Sequence, residues 1–88
     1  MKRIYKYPFT VTAKVTVSMV KGAKIIYVDI QDDTPCIWAE VEDESTTMVD
    51  YHFRIFGTGH DIPLSIGPHI ATFQQPPFVW HLYHRRKW

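Results

Sequence analysis

Cysteine is almost absent from this 88-residue chain, in which Cys36 stands alone. One cysteine cannot form an internal disulfide, and small secreted domains usually need several because their cores are small. The chain also lacks an uninterrupted apolar run long enough for a signal peptide or a membrane span. These absences predict a protein of the reducing cytoplasm with no membrane contact.

The sequence also lacks sustained helical periodicity, because no stretch holds an apolar i, i+3, i+4, i+7 pattern long enough to require a helix. Alternation of period two takes its place, as where Val15, Val17 and Met19 alternate with polar residues. Residues 1–88 therefore predict one all-β domain, a small antiparallel β-sandwich or partly open barrel of about seven short strands. The predicted strands are 3–7, 11–20, 23–31, 36–42, 47–56, 69–74 and 78–84. The third and fourth should form an antiparallel hairpin with Asp32-Asp33-Thr34-Pro35 as its turn. Alternation in the third strand places Ile26, Val28 and Ile30 on one face and Ile25, Tyr27 and Asp29 on the other.

Charge is segregated along the chain although the formal net charge is only +1. Residues 1–24 contain six Lys or Arg and no acid, residues 29–50 contain eight acids and no Lys or Arg, and the end is basic again. If the basic segments meet in the fold, one face could attract phosphate or the acidic face of a second copy. Alternatively, the charges keep strand edges soluble. A pI near 7.9 argues against binding to a nucleic-acid polymer.

The most pointed motif is the loop Gly57-Thr58-Gly59-His60-Asp61. Two glycines could turn backbone amides toward one point, where the threonine and histidine side chains would add donors for an anion. The spacing matches neither a phosphate-binding P-loop nor a dinucleotide fingerprint. The alternative interpretation is a tight turn with positive φ, capped by His60 or Asp61.

Catalytic and metal-binding patterns are weak. His81 and His84 are three apart and would lie on opposite faces of a strand, whereas the other three histidines fall in separate elements. Cys36 has no neighbouring base that would activate a thiolate. The sequence therefore predicts no enzyme activity, no metal and no cofactor.

Aromatic residues make up 15% of the chain, more than one small core needs, and some should be exposed. Trp38, on the strand face shared with Glu40 and Glu42, and Trp88, behind a basic run, are the candidates. Aromatic faces beside Lys or Arg can hold a base or a partner's side chain. The predicted ligand-binding residues are Lys6, Trp38, Arg54, Gly57, Thr58, Gly59, His60, Arg85 and Arg86.

Six segments in order resemble a family of small domains of unknown function found in bacteriophage and prophage genomes. They are Ile4-Tyr5-Lys6-Tyr7-Pro8, Gly22-Ala23-Lys24-Ile25, Pro35-Cys36-Ile37-Trp38-Ala39, Phe53-Arg54-Ile55-Phe56-Gly57-Thr58-Gly59-His60, Ala71-Thr72-Phe73-Gln74 and Phe78-Val79-Trp80-His81-Leu82. The resemblance implies a viral origin and, by analogy with other small phage proteins, an inhibitor or scavenger acting against host defences. It supplies no catalytic residue.

Two functions follow as expectations. The first is a homo-oligomeric binding protein in the host cytoplasm that sequesters a phosphorylated, nucleotide-like signal or a host defence protein. The second is a structural or interaction module of a virion or host complex, which binds its partner along an exposed sheet edge.

Overall fold

The computed structural model describes residues 1–42, 44 and 47–85, and these form seven strands. No helix in this part of the chain is long and apolar enough to cross a membrane. The strands are β1 (Lys2–Pro8), β2 (Lys14–Val20), β3 (Lys24–Gln31), β4 (Thr34–Glu42), β5 (Met48–Gly57), β6 (His69–Gln75) and β7 (Phe78–His84).

The strands form two antiparallel sheets. Sheet A has the order β1-β4-β3 and sheet B the order β2-β5-β7-β6. The sheets approach most closely at β3 and β6. The all-β prediction is confirmed, and of its two architectures the sandwich is the one observed.

The core lies between the sheets and consists of the inward-facing residues of both. Phe53 at the centre of β5 is fully buried, as are Met19 on β2 and Leu82 on β7. Ile37 and Ala39 provide the facing layer from β4. Because side chains alternate across a strand, the polar residues between these positions point away from the core. We call the face of each sheet that points away from the other sheet its outer face.

The β3–β4 hairpin confirms one prediction and corrects its turn. The turn consists of Asp32 and Asp33 alone, with φ of +50° and +63°, and Gln31 pairs with Thr34. Positive φ at both central positions is the signature of a type I′ turn, whose twist matches that of the flanking strands. Thr34 and Pro35, predicted in the turn, belong to β4.

A β-bulge in β3 changes which residues face the core. Ile25 pairs with Ala39 and Tyr27 with Trp38, so Ile26 is the extra residue. Alternation predicts Ile26 on the same face as Val28, but Ile26 is exposed and Val28 is buried. Before the bulge, Ile25 therefore faces the core, although alternation placed it on the face away from Val28.

The charge segregation along the chain does not persist in sheet A. The basic strand β1 pairs with the acidic strand β4, with Lys2 opposite Glu42. Lys2 Nζ lies 3.3 Å from a carboxylate oxygen of Glu40. In sheet A the first basic segment therefore forms no separate basic face, because antiparallel pairing places it beside the acidic strand.

Candidate functional site

The predicted ligand-binding residues lie in separate parts of the fold. Lys6 and Trp38 are cross-strand neighbours on the outer face of sheet A. Arg54 lies on the outer face of sheet B, opposite Lys14 and Tyr83. Arg85 follows the end of β7, and Arg86 lies outside the described residues. The fold therefore does not unite them into one pocket.

The 57–60 loop forms a closed turn at the end of β5. The His60 amide donates to the Gly57 carbonyl at 3.1 Å, while the Gly57 amide donates to His60 Nδ1 at 3.2 Å. Gly59 has a φ of +89°, which glycine adopts without strain. Since two amides bond within the loop, its geometry favours the tight, histidine-capped turn over an open anion cradle.

The ring of His60 also lies against Gly57. A Cβ at Gly57 would lie only 3.0 Å from His60 Cε1. Beside this turn, Phe78 and Trp80 line a pocket of about 210 Å³ and stack at 5.2 Å between ring centroids. The pocket is smaller than the roughly 300–1,000 Å³ typical of sites for drug-sized ligands.

Arg54 makes interactions within the domain. Its Nε donates to the carbonyl of Ala13 at 3.2 Å, and its guanidinium carbon lies 5.1 Å from the ring centroid of Phe56. Such a cation–π contact stabilises the arginine where it lies. Arg54 thus links the segment before β2 to the outer face of sheet B.

A histidine–threonine chain on the outer face of sheet B escaped the sequence analysis. Thr58 and Thr72 place their hydroxyls 2.9 Å from Nε2 and Nδ1 of His81, and His69 Nε2 lies 3.0 Å from the Thr72 hydroxyl. Hydroxyls can donate or accept, so the chain orients the ring of His81 in either tautomer. Pairing β6 with β7 in register would have brought Thr72 opposite His81. The described residues contain no cluster of three metal-ligating side chains.

Arg85 borders a groove of about 560 Å³ at the other end of sheet B. Its Nε is buried and, among the described residues, has no hydrogen-bond partner. Asp50, His52 and Pro68 also line the groove. A carboxylate in the same groove disfavours a phosphate ligand.

The outer face of sheet A brings two aromatic rings and a lysine into one row. The register places Lys6 on β1, Trp38 on β4 and Tyr27 on β3 side by side. The rings of Tyr27 and Trp38 lie 5.5 Å apart between centroids, tilted by 48°. Tyr27 is 56% exposed, and Ile4 and Ile26 are exposed as well. Trp38, predicted to be exposed, is half-buried, and Trp88 lies outside the described residues. This row offers aromatic surface and a cation on an open sheet face.

Polar partners hold this row in place. Lys6 Nζ donates to Gln31 Oε1 at 2.7 Å, so the lysine side chain crosses β4 at the level of Cys36, which is 2% exposed. The Tyr27 hydroxyl donates to Asp29 Oδ2 at 2.7 Å. This bond, followed by the carboxylate's charge, raises the pKa of Tyr27, and the same bond lowers the pKa of Asp29. The hydrogen bond to Asp29 thus orients the Tyr27 hydroxyl along β3.

Tyr27 and Gln31 were missed because the hairpin turn was predicted too long. A two-residue turn at Asp32-Asp33 places Gln31 opposite Thr34 and, counting back along both strands, Tyr27 opposite Trp38. The aspartate pair was the available signal, since Asp tolerates positive φ.

Comparison with known proteins supplies the family. A family model described as a domain of unknown function, DUF7352, matches residues 1–88. No curated protein and no solved structure matches the chain. With the whole chain covered by the family model, this seven-stranded sandwich belongs to the DUF7352 family of domains of unknown function.

Proposed function

We propose that this domain is a phage-encoded binding protein without enzymatic activity, which self-associates in the host cytoplasm and sequesters a host ligand on the outer face of sheet A. The ligand is a phosphorylated, nucleotide-like signal or, where the recognised group belongs to a protein, a host defence protein. The observation that carries this proposal is the row of Lys6, Trp38 and Tyr27 across the three strands of the sheet.

The chemistry of the row suits a planar group that bears a negative charge. Exposed aromatic rings stack on nucleobases, and each stacked base contributes about 1–3 kcal/mol. Lys6 donates to the neutral amide oxygen of Gln31, and a phosphate could replace that acceptor with a stronger, charge-assisted bond. The two rings would thus bind the base of a nucleotide, and the neighbouring Lys6 would bind its phosphate.

Calorimetric titration with a panel of linear and cyclic nucleotides tests the proposal. We expect at least one to bind, and Trp38→Ala to weaken its affinity by about ten- to a hundredfold through loss of stacking. Lys6→Gln should weaken it too, with an effect that shrinks as salt is raised. Lys21→Gln is the matched control, because Lys21 is an exposed lysine in the turn after β2, on the other sheet.

Two results would contradict this placement of the ligand. Binding that survives both Trp38→Ala and Lys6→Gln would locate the ligand elsewhere. No heat from any nucleotide would remove the small phosphorylated ligand and leave a protein as the sequestered partner.

The second candidate, an interaction module that binds along a sheet edge, is favoured by strand β1. The Phe9 amide donates to the Pro35 carbonyl at 2.9 Å, so by antiparallel alternation Lys2, Ile4, Lys6 and Pro8 direct their backbone groups away from β4. Proline has no N–H, and Pro8 would direct that group to the side of β1 on which none of the described strands lies, as expected for an edge strand. A host protein that is captured by the wild type and lost on Ile4→Pro, but kept on Trp38→Ala, would select this candidate.

A further inference from the structure

The four edge strands of the sandwich differ in how well they could pair with another strand. β3 and β6 carry register shifts at Ile26 and Ile70, and such bulges disrupt pairing. β1 carries Lys2, Arg3 and Lys6, so two copies of β1 would repel each other. β2 pairs with β5 without a register shift, and Lys14 is its one charged residue. β2 is therefore the edge best suited to pair with a second copy.

The backbone groups on the free side of β2 follow from its pairing with β5. The Ala13 carbonyl accepts from Ile55 and the Lys21 amide donates to Thr47, so odd-numbered positions of β2 bond to β5. In an antiparallel pair the intervening residues point the other way. Thr16 and Ser18 thus direct both N–H and C=O outward, and among the described residues no strand pairs with this side.

Both ends of this free edge are capped. The Thr12 hydroxyl donates to the Lys14 carbonyl at 2.6 Å, and the Tyr7 hydroxyl accepts from the Val20 amide at 3.5 Å. The Val20 carbonyl is also occupied, since it accepts from the Tyr51 hydroxyl and the Ala23 amide. A groove of about 450 Å³, lined by residues 7–10, 12 and 14–18, runs along the edge. Because of these caps, the backbone groups still open for pairing with another strand are the N–H and C=O of Thr16 and Ser18 and the N–H of Lys14.

We propose that the partner at this edge is a second copy of the chain, whose β2 pairs antiparallel with Thr16 opposite Ser18 of the second copy. In this two-fold register the outward N–H and C=O groups of Thr16 and Ser18 all find partners, and the capped residues Lys14 and Val20 flank them. Self-complementarity of this kind is what an isologous interface requires. The two B sheets join into one continuous sheet.

Charges in this register are compatible with pairing. Lys14 lies opposite Val20 of the second copy, which separates the two Lys14 residues by about 20 Å at about 3.3 Å per residue. In each copy Ser18 pairs with Asp50 on β5. Lys14 of one copy lies diagonal to Ser18 of the second copy, and that copy's Asp50 lies on the next strand. Like charges are therefore kept apart, and the acid of opposite charge lies one strand beyond the junction.

This inference rests on the self-association in the proposed function and specifies its surface. Sedimentation velocity of the whole chain should show a dimer of the 10.4-kDa chain. Ser18→Pro removes an outward N–H without removing a bond to β5, and it should raise the dimer dissociation constant at least about tenfold. Ile4→Pro, the corresponding change on the free edge of β1, should leave the dimer intact.

Two further variants keep the test decisive. If Ser18→Pro fails to fold, Ser18→Glu keeps the backbone amide and places one carboxylate from each copy diagonal to the other across the junction, so it should give a folded monomer. Mixing Thr16→Cys with Ser18→Cys under oxidation should cross-link the mixture more efficiently than either variant alone, because only unlike positions face each other.

The outcomes separate the inference from the proposed function. A dimer that persists unchanged in Ser18→Pro and Ser18→Glu would overturn the β2 junction while leaving self-association standing. A wild-type chain that is strictly monomeric at micromolar concentration would overturn both. The nucleotide titration with Trp38→Ala tests ligand binding separately from either result.

Discussion

His84 shows how one side chain responds to the position that the fold gives it. Its ring stacks against the core residue Phe53 with 5.6 Å between centroids and 28° between planes. Burial lowers the pKa of His84 below its ordinary value of 6.5, because the charged imidazolium loses water. A partly buried histidine that must remain neutral makes stability depend on pH.

The domain should lose stability as the pH falls from 7 toward 5. Below the ordinary histidine pKa of 6.5, the unfolded state takes up a proton at His84 that the folded state resists, so this contribution is present above that pH and lost below it. His84→Phe keeps an aromatic ring on Phe53 without a titrating group, and it should flatten this part of the pH profile. Urea unfolding at several pH values measures it.

A control for the pH experiment is Leu64→Ala, which changes an exposed side chain that cannot titrate. Its profile should run parallel to that of the wild type. An unchanged acid slope in His84→Phe would contradict the assignment of the slope to His84.

At the scale of elements, the β3–β4 hairpin decides what the outer face of sheet A presents. Alternation, turn residues and the lack of helical spacing predicted all seven strands with bounds close to those observed. The bulge at Ile26 was not predictable from alternation, since residues 25–28 are all apolar or aromatic and an unbroken apolar run does not show which residues face the core. Register, and with it the meeting of Tyr27 and Trp38, therefore depended on turn length.

The Asp32-Asp33 turn should be improvable by one substitution. Asp33→Gly should raise the free energy of unfolding by about 0.5–1 kcal/mol, because Asp-Gly suits a type I′ turn and glycine removes the Cβ cost of positive φ. Thermal unfolding monitored by circular dichroism measures the change.

A substitution at Gly22 should change the free energy of unfolding in the opposite direction to Asp33→Gly. Gly22 has a φ of +82° and open space where a Cβ would lie, so Gly22→Ala tests the conformational cost without a clash. We expect a loss of about 1–2 kcal/mol. Equal effects of the two substitutions in the same direction would contradict this account of the turns.

At the scale of the whole molecule, stability comes from one thin core between two sheets. Phe53, Met19, Ile37 and Leu82 are fully or almost fully buried, and no polar or charged residue among the described ones is buried with them. A domain of this size has only about 5–15 kcal/mol of net stability, so one large core deletion removes a substantial share.

Two leucines give a matched test of this core. Leu82 is 0% exposed and Leu64 is 103% exposed. Leu82→Ala should cost about 2–5 kcal/mol, whereas Leu64→Ala should change stability by less than about 0.5 kcal/mol. Denaturant midpoints of the two variants measure the difference, and similar midpoints would contradict the burial seen for Leu82.

Much of this protein was determined by its sequence. Period-two alternation and the Pro, Gly and Asp punctuation are local properties, so they determined the strands, the all-β class and the hairpin. Local residue types also indicated that Trp38 and Lys6 belong to a binding surface, which stays a prediction.

Only the tertiary structure decided which residues distant in the sequence come into contact. It paired the basic strand β1 with the acidic strand β4. It also placed the Arg54 guanidinium over the ring of Phe56 and closed the 57–60 loop with a hydrogen bond to His60. In addition, it placed Tyr27 beside Trp38 and, within the part of the chain that the structure describes, left one side of β2 without a neighbouring strand. Strand order and register arise from packing and turn geometry across the whole chain, and composition or periodicity carries no information about which segments become neighbours.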